Sequence, residues 1–189
     1  LSLKSLQKIK PTAQKTLQRA SQKIRNAILD GDLPEDLVSQ IQDAYHILGK
    51  PTVSVRSSAT VEDMKDASFA GQYDSFLNVT SLNGLIHSLK QVWASLYTPH
   101  AIAYCKQNRI SLETVQMAVV VQQQLIPDAA GVLFTQDPIT GSEQWIVNAA
   151  PGLGEGVVSG VAQADRFVLR PEDAHLLSAE VAPKRKKNP

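Results

Sequence analysis

Apolar residues recur at helical spacing along the first part of the chain. Leu17, Ala20, Ile24, Ala27 and Ile28 share one face, Lys15, Arg19 and Lys23 lie on another, and Thr12 stands where a cap belongs. Asp30-Gly31-Asp32 ends this helix. Pro34 suits the first turn of a second, carried by Leu37, Ile41, Ala44, Tyr45 and Leu48 and stopped by Gly49 and Pro51. The spacing thus predicts a helical hairpin over residues 1–50. The period then changes. Residues 52–55 and 73–79 read as short strands, the second carrying Phe76 and Leu77. From Ser81 a third helix buries Leu82, Leu85, Ile86, Leu89, Val92, Trp93 and Leu96, and Pro99 restarts the chain into a fourth that includes Ile102 and Tyr104. Residues 117–121, 131–135 and 145–149 are continuous apolar runs of strand length, separated by turns at Pro127-Asp128 and Asp137-Pro138, and predict a buried sheet. Residues 162–169 and 176–181 add two strands. The fold class expected is α/β, in the wider α+β sense, with an N-terminal helical hairpin and a mixed sheet. Residues 51–183 are taken as one region and 184–189 as a flexible basic tail.

The bulk numbers narrow the class without naming a function. With 43% hydrophobic residues, ten glycines and ten prolines, the 189 residues suit a soluble globular chain and exclude collagenous or disordered classes. No apolar stretch is long enough to span a bilayer and the N-terminus has no signal-peptide pattern, so a cytoplasmic protein without a membrane partner is expected. Cys105 is the only cysteine, which excludes an internal disulfide. It reads as a buried, inert residue, and neither it nor the four histidines shows metal-ligand spacing, so no metal site is assigned. The net charge of +1 is uneven. Residues 1–29 hold seven Lys/Arg and no acid, and Lys184 to Lys187 add four more. The middle carries eight Lys/Arg against eighteen acids, a balance of −10 that argues against a nucleic-acid face there.

Four segments could carry chemistry. Arg56-Ser57-Ser58-Ala59-Thr60 follows a strand and would bring a guanidinium fork and three hydroxyls to a sheet's mouth, partners that phosphate oxygens favour. The same residues fit a turn in which Arg56 pairs with Glu62 or Asp63. Ala67-Ser68-Phe69-Ala70-Gly71-Gln72 is a small-residue loop, read either as a flap over phosphates or as an ordinary hairpin connection, with Ser75 opening the return strand. Gln122-Gln123-Gln124 closes a strand where an adenine edge could be met. Residues 152–160 resemble a dinucleotide fingerprint but place Ser159 where the last glycine belongs, which favours a structural glycine turn capped by a short helix. No Walker-type phosphate loop occurs. From residue chemistry alone the reading ends at an anion-binding α/β domain.

A resemblance goes further. The run Val53-Ser54-Val55-Arg56-Ser57-Ser58-Ala59-Thr60, then Glu62-Asp63, then Ala67-Ser68-Phe69-Ala70-Gly71-Gln72-Tyr73-Asp74, resembles the N-terminal ATP-binding domain of the phosphoenolpyruvate synthase and pyruvate phosphate dikinase family. Residues 131–140 and Gly152-Leu153-Gly154-Glu155, with Val158-Ser159-Gly160 after them, continue the likeness in order, so that it spans residues 52–169. The resemblance implies an ATP-grasp-like domain, here incomplete. It implies ATP and Mg²⁺ as ligands, and a relay in which ATP's β-phosphoryl group passes to a histidine on a separate swivelling domain. A pyruvate-binding domain then makes phosphoenolpyruvate, with AMP and phosphate as the other products. Carried over by motif, Arg56 binds ATP phosphates, Gly71 and Ser75 belong to the loop closing over them, and Gln122 lies by the base. Ser75 stands where threonine is frequent, with the hydroxyl retained. The family's glycine-rich first segment, its metal-holding acidic and glutamine positions and its relay histidine are expected outside this chain. None of His46, His87, His100 or His175 has a phosphoacceptor context, so no catalytic residue is assigned and the fragment is expected to be inactive alone. A phosphoenolpyruvate synthase is the leading expectation, and a homodimer of the parent is compatible with it. A rifamycin phosphotransferase or a dikinase is the enzymatic alternative, and a non-catalytic binding or scaffolding module the alternative of another class.

Overall fold

The computed structural model describes residues 14–60, 63–64, 67–68 and 73–183. The expected cap Thr12, the flap glycine Gly71 and the basic tail lie outside the described residues. The chain forms two compact units that divide in sequence between Gln124 and Leu125. That division falls inside the stretch 51–183 read above as one region.

In the first unit, helix α1 (Gln14–Asp30) is followed by α2 (Glu35–Ile47), whose first turn carries Glu35 and Asp36 and whose last turn carries His46, as the helix dipole favours. Gly49, at φ +84°, reverses the chain, and the Tyr45 hydroxyl donates to the Pro51 carbonyl at 3.1 Å. Strand β1 (Val53–Ala59) comes next, then the backbone hairpin of β2 (Asp63–Met64) and β3 (Ala67–Ser68), and then β4 (Ser75–Val79). Helix α3 (Leu82–Ser95) is capped by the Ser81 hydroxyl, which accepts from Gly84 N at 3.2 Å. Helix α4 (Pro99–Gln107) is capped by Thr98, which accepts from Ala101 N at 3.1 Å. Strand β5 (Met117–Gln123) returns beside β1.

The sheet order is β4-β1-β5, both pairings antiparallel. The α3–α4 connection therefore crosses over β1, and α3 packs on one side of it. Val53, Val55 and Val79 meet Tyr45, Leu85, Leu89 and Val92 in one cluster; Ala59 meets Ala20, Tyr73, Leu96, Ile102 and Cys105 in another. Odd-numbered β1 residues thus face the helices, and even-numbered ones face away.

Cys105 is 1% exposed, and burial pushes its thiol up to about 11, outweighing a backbone hydrogen bond that acts the other way. It should resist alkylation at pH 8 in the folded chain and react once denatured, because only the thiolate is nucleophilic. Fast native labelling by iodoacetamide, followed by mass spectrometry, would contradict this burial.

The second unit is a meander of β6 (Ala129–Phe134), β7 (Trp145–Pro151), β8 (Asp165–Leu169) and β9 (Leu176–Glu180), antiparallel throughout, with a four-residue helix α5 (Glu155–Val158) after β7. Two expectations are corrected here. The sheet is not mixed: among the described residues every ladder is antiparallel, because the meander strands are joined by connections that reverse direction and β1 runs opposite to both neighbours. Nor do the three apolar runs share one buried sheet. β5 joins β1, β6 and β7 belong to the second unit, and β5 and β6 alternate exposed with half-buried residues because one face of each stays open.

Candidate functional site

The phosphate reading turns on which side chains of β1 reach the open side. Val53 and Val55 are fully buried, and this fixes Arg56 on the opposite, exposed face. Arg56 pairs across the sheet with Ser75 on β4 and Val120 on β5, while Ser54 pairs with Gln122. Directly opposed residues project to the same side. Arg56, Ser75 and Gln122 therefore share one face, joined by Ser58 two residues along β1. All four are exposed. Gly71 lies outside the described residues, so three of the four expected binding residues come together and the fourth has no described place.

No hydrogen bond or ion pair engages the Arg56 guanidinium among the described residues. The alternative partners Glu62 and Asp63 have side chains outside the description. Thr60, grouped above with the phosphate-seeking hydroxyls, is used locally: its Oγ1 accepts from Gln116 N at 3.2 Å, and Thr60 N donates to Gln116 O at 3.0 Å. Ser57 sits on the helix side of the strand.

Two residues of the site's rim were missed from sequence. Asn78 adopts φ +58° where β4 departs from regular pairing with β1. Its backbone N–H donates to Gln124 Oε1 at 2.6 Å, and Gln124 Nε2 donates back to Asn78 Oδ1 at 2.8 Å. Gln124 N also donates to Thr52 O at 2.8 Å. The signal available was an asparagine, a residue that tolerates the left-handed region, next to an apolar strand end. The glutamine triplet was noticed, but only Gln122 was singled out of it.

An apolar groove of about 530 Å³, lined by Leu37, Ile41, Trp93, Val119 and Val121 among others, lies beside β5 toward the helices. No charged group lines it, so it has nothing with which to hold phosphate.

In the second unit, Gly152 at φ +85° and Gly160 at φ +70° bracket α5, and Gly152 N donates to Asp128 O at 2.9 Å. This is a glycine turn with a short helix. Gly131 is required by close approach, since a Cβ there would stand 2.6 Å from the Asn148 carbonyl oxygen. Asp137 is buried and organises its own turn: Oδ1 accepts from Ile139 N at 2.8 Å and Thr140 N at 3.2 Å, and Arg166 lies 3.7 Å away. The Ile139 N–H bond leads in holding the carboxyl below the usual carboxylate range, with help from Thr140 and Arg166 and against the opposing effect of burial. A carboxyl lowered on folding adds stability above its unfolded value and loses it as pH falls through the folded one. The stability gap between wild type and Asp137→Ala should therefore be widest near neutrality and close below about pH 4. Urea melts at pH 7 and pH 3 measure it, and a gap that is the same at both would remove the carboxylate from the account.

Among the described residues, no group of three or more His, Cys, Asp or Glu could hold a metal ion, and no helix is long and apolar enough to cross a membrane. His46, His87, His100 and His175 are all exposed.

Residues 3–188 match the family described as pyruvate phosphate dikinase, AMP/ATP-binding domain. The chain is 42% identical over 170 residues to a rifampicin phosphotransferase of Streptomyces sviceus, covering 89% of this chain and 20% of that protein. It is 39% identical over 167 residues to the rifampicin phosphotransferase of Bacillus subtilis, covering 87% and 19%. To the phosphoenolpyruvate synthase of Aeropyrum pernix it is 42% identical over 176 residues, covering 89% and 22%. The chain thus spans about a fifth of the length of these relatives.

Proposed function

The chain belongs to the pyruvate phosphate dikinase AMP/ATP-binding domain family, and from that premise we propose that the open face of β4-β1-β5 receives ATP. The observation that carries this reading is the grouping of Arg56, Ser75 and Gln122 on one exposed face, with an Arg56 guanidinium free of partners among the described residues. Arg56 holds phosphate oxygens through its planar fork, Ser75 and Ser58 add hydroxyl donors, and the Gln122 strand end meets the base. Phosphoryl transfer depends mainly on such positioning and charge neutralisation. The ATP-grasp-like character of the fold is part of the same proposal.

Mg²⁺ accompanies ATP in this reading, but the described residues do not fit it. A hard cation takes oxygen ligands, usually with one or two carboxylates, and the face offers a guanidinium, hydroxyls and an amide. The parent protein is a kinase-type phosphotransferase that works in the cytoplasm. Its ATP-derived phosphoryl group passes to a histidine on a swivelling domain and then to pyruvate on a third domain, giving phosphoenolpyruvate, AMP and phosphate. Activity is assigned to the parent protein, since this chain spans about a fifth of the length of its relatives. Equal identity to a rifampicin phosphotransferase supports a second reading, in which the same ATP module serves an antibiotic acceptor.

The test is calorimetric titration of MgATP into the parent protein and its Arg56→Ala and Gln122→Ala variants. Weakened binding in both supports the face, and unchanged affinity in folded Arg56→Ala overturns it. Product analysis with pyruvate and with rifampicin separates the two acceptors.

A further inference from the structure

Strand β5 is an edge of its sheet, and its hydrogen bonds fix which way its free backbone groups point. Gln124 N donates to Thr52 O at 2.8 Å and Thr60 N to Gln116 O at 3.0 Å, so the even-numbered residues of β5 are the ones that bond β1. Odd-numbered Met117, Val119, Val121 and Gln123 therefore turn their N–H and C=O groups to the outer edge, where no strand pairs with them among the described residues. Proteins blunt such an edge with a charge, a proline or an irregularity. The sheet's other edge is blunted in this way: β4 departs from regular pairing with β1, and Asn78 stands at φ +58°. Strand β5 reads Met-Ala-Val-Val-Val-Gln-Gln, without charge or proline, and keeps unbroken register with β1 over all seven residues.

The apolar groove of about 530 Å³ lies at this same edge, on the helix side. Met117, Val119 and Val121 line it from β5, and Leu37, Ile41 and Ala44 from α2. Val53 and Val55 of β1, beneath the helices, are 0% exposed, yet Met117, Val119 and Val121 on the same side of β5 are only half-buried. The helix layer covers β1 and stops short of the rim.

We propose that the β5 edge and its groove receive an extended segment of the parent protein from outside these 189 residues, paired with β5 as a further strand. The pleat sets the segment's chemistry. Side chains two residues apart share a face, so it carries apolar residues at alternate positions, seated in the groove over Met117, Val119 and Val121. The relatives extend well beyond this stretch, since it covers 20%, 19% and 22% of their length. A tethered segment meets the edge at an effective concentration of about a millimolar, an advantage that a second copy of the chain does not have. The groove lies on the side of the sheet opposite Arg56, so its occupant and ATP do not compete for one face.

The experiment uses the full-length parent protein. Photo-methionine at Met117, irradiation and peptide mass spectrometry identify what lies in the groove, and a mixture of light and heavy-isotope protein marks links between copies. Met117 should link, within one molecule, to a peptide from outside residues 1–189. Hydrogen exchange read residue by residue should show the Val119 and Val121 amides exchanging as slowly as that of Val120, which faces β1. Leu37→Gln keeps α2 helical but puts an amide into the groove, and should speed exchange at Val119 and Val121 by about tenfold while leaving Val120 unchanged. Links confined to residues 1–189, links between copies, or fast exchange at Val119 and Val121 in the wild type each overturn the proposal. Unchanged exchange in a folded Leu37→Gln variant overturns it as well, because the segment would then not use the groove.

Discussion

Arg56→Ala is expected to weaken MgATP binding by the parent protein by roughly one to two orders of magnitude while its melting temperature barely moves. A hydrogen bond to a charged group contributes about 1.5–3 kcal/mol, and tenfold in affinity corresponds to about 1.4 kcal/mol. The side chain is exposed and has no partner among the described residues, so truncation removes no contact among them. Arg56→Lys separates charge from geometry. A lysine keeps the cation but not the planar fork, so affinity should recover only in part. Full recovery would mean that the site reads charge alone.

Leu85→Ala should cost about 2–5 kcal/mol of folding stability, which makes it the largest stability effect expected here. Leu85 is 1% exposed and packs in the cluster with Val53, Val55 and Val92, directly under the strand that presents Arg56. Removing its branched end strips contacts from β1 on the buried side. The chain should melt at a lower urea concentration with an unchanged slope. A shift below about 1 kcal/mol would mean that α3 relaxes into the space and that the packing under β1 is looser than it looks.

Helices were legible because their ends carry local chemistry. Pro34, Ser81, Pro99 and the Gly49 reversal each act within a turn of the helix they bound, and each stands at or beside a helix end. Strand existence was legible from apolar runs. Strand partnership was not, because Ala118-Val119-Val120-Val121 looks the same whether both faces are covered or one. Only the pairing with β1 shows that Val120 lies open at 46% exposure. The grouping of Arg56, Ser75 and Gln122 depends on register between segments up to 66 positions apart, which periodicity does not encode. The motif likeness supplied it instead. Asp137 was read as a turn signal alone, since the folding of its carboxylate back onto Ile139 N is visible only in three dimensions.

The hydrogen bond from Gln124 N to Thr52 O, together with the Thr60–Gln116 contact at the opposite end of β1, has a further effect on that strand. Sliding β1 by one residue would swap its two sides, sending the guanidinium into the apolar interior and a valine to solvent. Each fastening would have to break for such a slip, and the two stand at opposite ends of a seven-residue strand. The polarity of the proposed binding surface is thus guarded by backbone amides and one hydroxyl. Changes at those positions should show first as strand misalignment and only afterwards as lost affinity.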